Sequence, residues 1–161
     1  SSMNPRDFAQ KKDGWCGVAA LSFVLHQQGV EVSQEDLAKE TRIDEKGIDP
    51  EPLEKTAQSH GMKTEVLQGG NPEKTLALLD NYREQGWSIL LDYLAGNNIR
   101  QDGHYVVLLE VTPHVLHIFN PSGGKEEVRD RESFISHWKD TKKDGKEFRY
   151  YALVIKKKTL S

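Results

Sequence analysis

Gln10-Lys-Lys-Asp-Gly-Trp-Cys-Gly-Val-Ala-Ala-Leu-Ser-Phe-Val-Leu-His-Gln-Gln-Gly29 is the stretch whose reading decides the fold. It holds the single cysteine of the chain, Cys16, after a flexible Asp13-Gly14 step and before a run (Val18, Ala19, Leu21, Phe23, Val24, Leu25) suited to a largely buried helix. The thiol is therefore expected at or near a helix N-terminus, where unsatisfied backbone N–H groups and the helix dipole favour an anion. Such a position should lower its pKa and supply the thiolate that a nucleophile needs. Gln10, six residues earlier, is close enough to fold back over Cys16; its amide and the Cys16 backbone N–H would make a two-donor oxyanion hole. A lone cysteine on an apolar helix also serves simply as packing, so the rest of the chain has to decide.

Outside this stretch, composition sets the class. A chain of 161 residues, 36% hydrophobic and 29% charged, is expected to form one soluble domain over residues 1–161 with a core that needs no crosslinks. A net charge of -3 gives no electrostatic case for nucleic acid or an anionic membrane. No apolar run approaches a membrane span and no signal peptide is visible. One cysteine allows no internal disulfide, which fits a reducing compartment, so a cytoplasmic location is expected. Ser1-Ser2-Met3 reads as a tag-removal scar.

The first half reads as helices. Gly29 caps the Cys16 helix; Ser33 caps a short helix to about Thr41; Asp49 and Pro50 open another carrying Leu53 and Ala57 inward. Met62 to Leu67 reads as a strand, and Asn71-Pro72 opens a helix through Gln85 with Leu76, Leu79 and Tyr82 on one face. Past Gly86 the pattern becomes extended: Trp87–Tyr93, His104–Val111, Val115–Asn120 and Arg149–Ile155, interrupted by a helix from about Asp130 to Trp138. Gly96-Asn97-Asn98 reads as a mobile segment. Helices followed by strands indicate an α+β domain with an antiparallel sheet.

Within that sheet, Thr112-Pro113-His114 has the length of a hairpin loop, so His104–Val111 should pair with Val115–Asn120. Counting outward from three loop residues puts His104 and Asn120 opposite or diagonal on one face, roughly 5–8 Å apart at Cβ, within reach of a hydrogen bond. An imidazole so oriented, beside a cysteine, can take the thiol proton and return it to a leaving group. Asn120-Pro121-Ser122-Gly123-Gly124 is also a plain turn sequence and His104 an ordinary strand-end histidine, so the combination carries more than its parts. Trp15 and Gly103 are read as substrate-groove residues. His114 and His117, an odd separation apart on a strand, face opposite ways and make no joint metal site; no metal and no organic cofactor are expected.

The ordered set Gln10-x5-Cys16-Gly17-Val18-Ala19-Ala20-Leu21, Val30-x-Val32-Ser33-x3-Leu37, Gly47-Ile48, Leu53-x3-Ala57-x3-Gly61, Gly103-His104-Tyr105-Val106-Val107, Asn120-Pro121-x-Gly123 and Phe134-x3-Trp138 resembles the bacteriocin-processing, double-glycine-leader cysteine peptidases and their stand-alone relatives. The resemblance runs from about Phe8 to Trp138. It implies a papain-like fold with Cys16 as nucleophile, Gln10 as oxyanion donor, His104 as general base and acid, and Asn120 as third member. Its expected partner is a peptide or protein substrate; oligomeric state is not implied. The family more often has Asp where this chain has Asn120, which orients a histidine without adding charge. The 161 residues carry no transporter of the kind leader-processing members have in the same polypeptide, so the bond cleaved is not fixed. Papain-like relatives also include deamidases and acyl transferases, and a rival reading is a non-catalytic domain that binds a peptide tail.

Overall fold

The computed structural model describes residues 3–95 and 103–159. The Gly96-Asn97-Asn98 segment, Asp102, and Ser1 and Ser2 lie outside the described residues.

The Cys16 helix, α1 (Cys16–Gln27), is apolar almost all round, and Gly17 through Leu25 are all buried. A helix of that kind has to be covered on every side. The sheet covers one side, and α2 (Gln34–Thr41), α3 (Pro50–Ser59) and an N-terminal 3-10 turn at Pro5–Phe8 cover the rest. Ser33 caps α2 by accepting from the Asp36 N–H at 3.1 Å. Asp49 holds the N-cap position of α3 but does not cap it: its carboxylate accepts from the Lys143 N–H at 3.2 Å, tying α3 to a distant hairpin.

Six strands form one antiparallel sheet in the order β1 (Met62–Leu67), β8 (Ala152–Lys157), β2 (Ser88–Leu94), β3 (Gly103–Val111), β4 (Val115–Asn120), β5 (Lys125–Asp130). Alternation along the central strands splits the core into two clusters. Leu90, Tyr105, Val107 and Phe119 face α1. Ile89, Tyr93, Val106, Leu108 and Ile118 face the other way and pack with α4 (Pro72–Glu84) and α5 (Arg131–Ser136). Phe23 of α1 stacks on Phe119 of β4 at 4.1 Å between ring centroids, joining helix to sheet.

The α+β antiparallel architecture is as expected, with three differences. Lys125–Asp130, a charged stretch with no strand pattern, is the edge strand β5, paired to β4 along its whole length. Arg149 is not part of the last long strand: it belongs to a small hairpin of β6 (Lys139–Thr141) and β7 (Glu147–Arg149), cut off from β8 at Tyr150, whose φ is 57°. The β3–β4 connection keeps the three residues Thr112-Pro113-His114, but its register is irregular. Val111 pairs with Leu116, and a bulge between Leu108 and Glu110 then restores the Val107–Phe119 register. No helix among the described residues is long and apolar enough to cross a membrane.

Candidate active site

Cys16 is the first residue of α1. Its N-cap, Trp15, offers no side-chain hydrogen bond, so the opening N–H groups of the helix are left to other partners. The approach to it is the Asp13-Gly14 turn. Gly14 has φ 82°, and a Cβ there would lie 2.7 Å from the Glu45 carbonyl oxygen, so only glycine fits. Trp15 is half-buried against the α1-side core, with the Lys12 ammonium 5.1 Å from its ring centroid.

The thiol accepts from the backbone N–H groups of Tyr105 and Gly17, both of which favour thiolate. Burial outweighs them, with Asp92 and Asp140 adding repulsion, and pushes the Cys16 pKa up to about 11. The lowered pKa expected from the helix terminus is therefore not found: two N–H groups offset only part of the desolvation of sulfur in a packed environment. Burial thus favours the neutral thiol.

His104, second residue of β3, places its ring on the face opposite α1's packing partner Tyr105 and forms an edge contact with Tyr93 at 6.2 Å between ring centroids. Its Nε2 is 2.7 Å from Asn120 Oδ1. Because that oxygen can only accept, Nε2 carries the hydrogen and Nδ1 is left as the basic nitrogen. Burial lowers the His104 pKa, while the Asn120 bond and the nearby Glu127 carboxylate work against that and Arg129 adds to it. Asn120 is buried at the end of β4. Its oxygen also accepts from the Ser122 N–H at 2.9 Å, and its Nδ2 lies 3.3 Å from each Glu127 oxygen. No hydrogen bond among the described residues joins Cys16 Sγ to the His104 ring. The two are linked through Tyr105, the neighbour of His104, whose N–H the thiol accepts.

Gln10 is tied to the same turn. Its backbone N–H donates to the Pro121 carbonyl at 2.8 Å, its Nε2 to the Lys12 carbonyl at 3.2 Å, and its Oε1 is buried with no partner among the described residues. Gln34, 3% exposed at the start of α2, brackets it: its Nε2 donates to the Ala9 carbonyl at 2.9 Å and its Oε1 accepts from the Lys11 N–H at 3.0 Å. Gly103 is exposed at the mouth of β3, where a Cβ would overlap the Asp140 carboxylate. A cavity of about 320 Å³ opens against this end of the sheet, lined by Tyr93, Gly103, His104, Asn120, Ser122 and Arg129 among others.

Sequence reading did not single out Gln34, Glu127 or Asp92. Asp92 is 2% exposed, accepts from the His104 backbone N–H, and lies against Asp140; burial and that second carboxylate hold its pKa well above the usual carboxylate range. Its signal was present in the chain, since a lone carboxylate within the apolar run Ser88-Ile-Leu-Leu-Asp-Tyr-Leu94 is unusual in a buried strand.

Residues 8–142 match the peptidase C39 family. The chain belongs to that family. Membership brings with it a papain-like cysteine peptidase domain, and the solved structures agree on the fold. The peptidase domain of Streptococcus ComA, a bi-functional ABC transporter involved in a quorum-sensing pathway, superposes with a TM-score of 0.72 at 18% identity, over 93% of this chain and 96% of that one. A C39-like peptidase from Bacillus anthracis gives 0.69 at 19% identity, over 94% of each chain. A double glycine motif protease from an AMS/PCAT transporter, solved with a leader peptide, gives 0.68 at 19%, over 93% of this chain and 89% of that one. No curated protein matches the chain significantly.

Proposed function

We propose that this C39 domain hydrolyses a peptide bond by thiol acyl transfer, with Cys16 as nucleophile, His104 as base and then acid, Asn120 as orienting group, and Gln10 with the Cys16 N–H as oxyanion donors. The observation that carries the reading is the 2.7 Å bond from His104 Nε2 to Asn120 Oδ1, which leaves Nδ1 free on a residue whose neighbour, Tyr105, donates to the Cys16 thiol. A peptide substrate is supported by the solved neighbour that holds a leader peptide; Trp15, which precedes the thiol in the chain, and Gly103, which lines the cavity with His104, are the groove residues of this reading.

On this reading the thiol, with its raised pKa, and the imidazole, with its lowered one, start as a neutral pair. The proton therefore moves as sulfur attacks. His104 Nδ1 takes the Cys16 hydrogen while an S–C bond forms at the carbonyl, and the oxygen becomes an oxyanion held by the Cys16 N–H and Gln10 Nε2. The imidazolium then passes its proton to the departing amine nitrogen as the C–N bond breaks. Water, deprotonated by the same nitrogen, releases the acid and regenerates the thiol.

Digestion of a random peptide library, read by mass spectrometry, tests this. New termini should appear with the wild type and disappear with Cys16→Ala and His104→Ala. Cleavage that persists in Cys16→Ala would reject the assignment, and amide loss without new termini would make the chain a deamidase.

A further inference from the structure

Asn120 is neutral, yet the proposed reaction puts a positive charge on the histidine it holds. A carboxylate lies one hydrogen bond further on. Glu127 pairs in register with Ile118, two residues from Asn120 on the same face, and both its oxygens stand 3.3 Å from the Asn120 Nδ2. His104 on β3, Asn120 on β4 and Glu127 on β5 thus form a row across three adjacent strands. Glu127 is held from behind by an ion pair with Arg129, which also reaches the Tyr93 hydroxyl.

We propose that Glu127 is a positioning residue of the active site: it fixes the Asn120 amide with its oxygen toward His104 and supplies the negative charge that steadies the imidazolium. This rests on the triad reading above. The amide has two possible orientations, and only one presents an acceptor to Nε2. A carboxylate at Nδ2 selects that one, because the reverse orientation would set oxygen against oxygen. Polarising the amide also strengthens its oxygen as an acceptor. The charged groups acting on the ring are Glu127 and Arg129 from β5; Tyr93 of β2 makes the edge contact with it, and Asp92 of β2 faces the backbone N–H of His104. Of the charged pair Glu127 is the one bonded to Asn120, and it outweighs Arg129 at the ring.

Two substitutions of opposite sign test the idea. The His104 pKa is read by nitrogen-15 NMR of the ring, and the rate of labelling by a peptidyl acyloxymethyl ketone is read across pH. Glu127→Gln should lower the His104 pKa by on the order of half a unit, roughly three-fold in imidazolium at fixed pH, and slow labelling by at least as much. Arg129→Gln, which frees Glu127 from its counter-charge, should raise it; general unfolding cannot give opposite shifts in two variants of one ion pair. Glu127→Asp should recover part of the Gln loss. An unchanged His104 pKa and labelling rate in Glu127→Gln, with labelling still abolished in Cys16→Ala and His104→Ala, would overturn this proposal and leave the triad standing. A wild type that takes no label would overturn the triad, while the NMR shifts would still decide whether Glu127 acts on His104.

Discussion

The Gln10 backbone N–H donates to the Pro121 carbonyl at 2.8 Å, so the proposed oxyanion donor hangs from the turn that Asn120 begins. Two residues more than a hundred positions apart are thereby fixed to each other, and Gln34 completes the clamp by bonding both neighbours of Gln10. Gln34→Ala leaves the Ala9 carbonyl and Lys11 N–H without partners, at an expected loss of about 1–3 kcal/mol in urea unfolding. Displacing the donor should also slow turnover by about ten-fold or more, toward the roughly 10²–10³ lost when an oxyanion donor is removed outright. Gln34→Met, which restores volume without the bonds, should be as slow. Full activity in Gln34→Met would show that the clamp does not aim Gln10.

Free thiol reactivity should follow the packing around sulfur. With the Cys16 pKa pushed up to about 11, alkylation by iodoacetamide should stay slow at pH 8 and climb only in strongly alkaline buffer. The same thiol in urea should react like an ordinary one, with a pKa of about 8.5. An alkylation midpoint below pH 7 in the folded protein would instead mean a thiolate–imidazolium pair already formed at rest.

Asp92 gives the stability a pH dependence of known sign. Its folded pKa lies well above the value of about 3.9 for an unfolded Asp. Between those two values the native state binds more protons than the unfolded chain, so stability falls as pH rises. Asp92→Asn keeps an oxygen for the His104 N–H and removes the titration. Relative to wild type it should gain stability from pH 5 to pH 8, read as urea midpoints. The same difference at both pH values would contradict this assignment.

The Phe23–Phe119 stack links the elements that carry Cys16 and Asn120. Phe119 is fully buried, so Phe119→Ala should cost about 3–5 kcal/mol. Calorimetry checks it, and a loss below about 1 kcal/mol would mean that helix and sheet are held together elsewhere.

Much of this was legible in the chain because the local signals agree with the fold. The apolar run after Cys16 demanded a covered helix, and Ser33 and Asn71 cap the helices they precede. The His104–Asn120 pairing came out on the expected face through two departures that cancel. The Val111–Leu116 pairing shifts the register by one residue from the one expected, which alone would put the two side chains on opposite faces, and the bulge near Leu109 restores the match. Neither has a signature in Thr112-Pro113-His114. Strand β5 was hidden for another reason. Lys125-Glu-Glu-Val-Arg-Asp130 carries five charges in six residues, which suits an exposed edge but gives no apolar alternation. Only its pairing to β4 makes it a strand, and Glu127 was therefore out of view. The thiol pKa was misjudged because helix polarity can be read from sequence order whereas burial of sulfur beside Asp92 depends on tertiary packing.

Intact-protein mass spectrometry after reaction with a peptidyl acyloxymethyl ketone at pH 7 bears most directly on whether sulfur and imidazole act as one unit. The expected result is one adduct per wild-type chain, mapped to Cys16, none in Cys16→Ala, and a rate in His104→Ala lower by orders of magnitude. An adduct forming at the wild-type rate in His104→Ala would contradict the account.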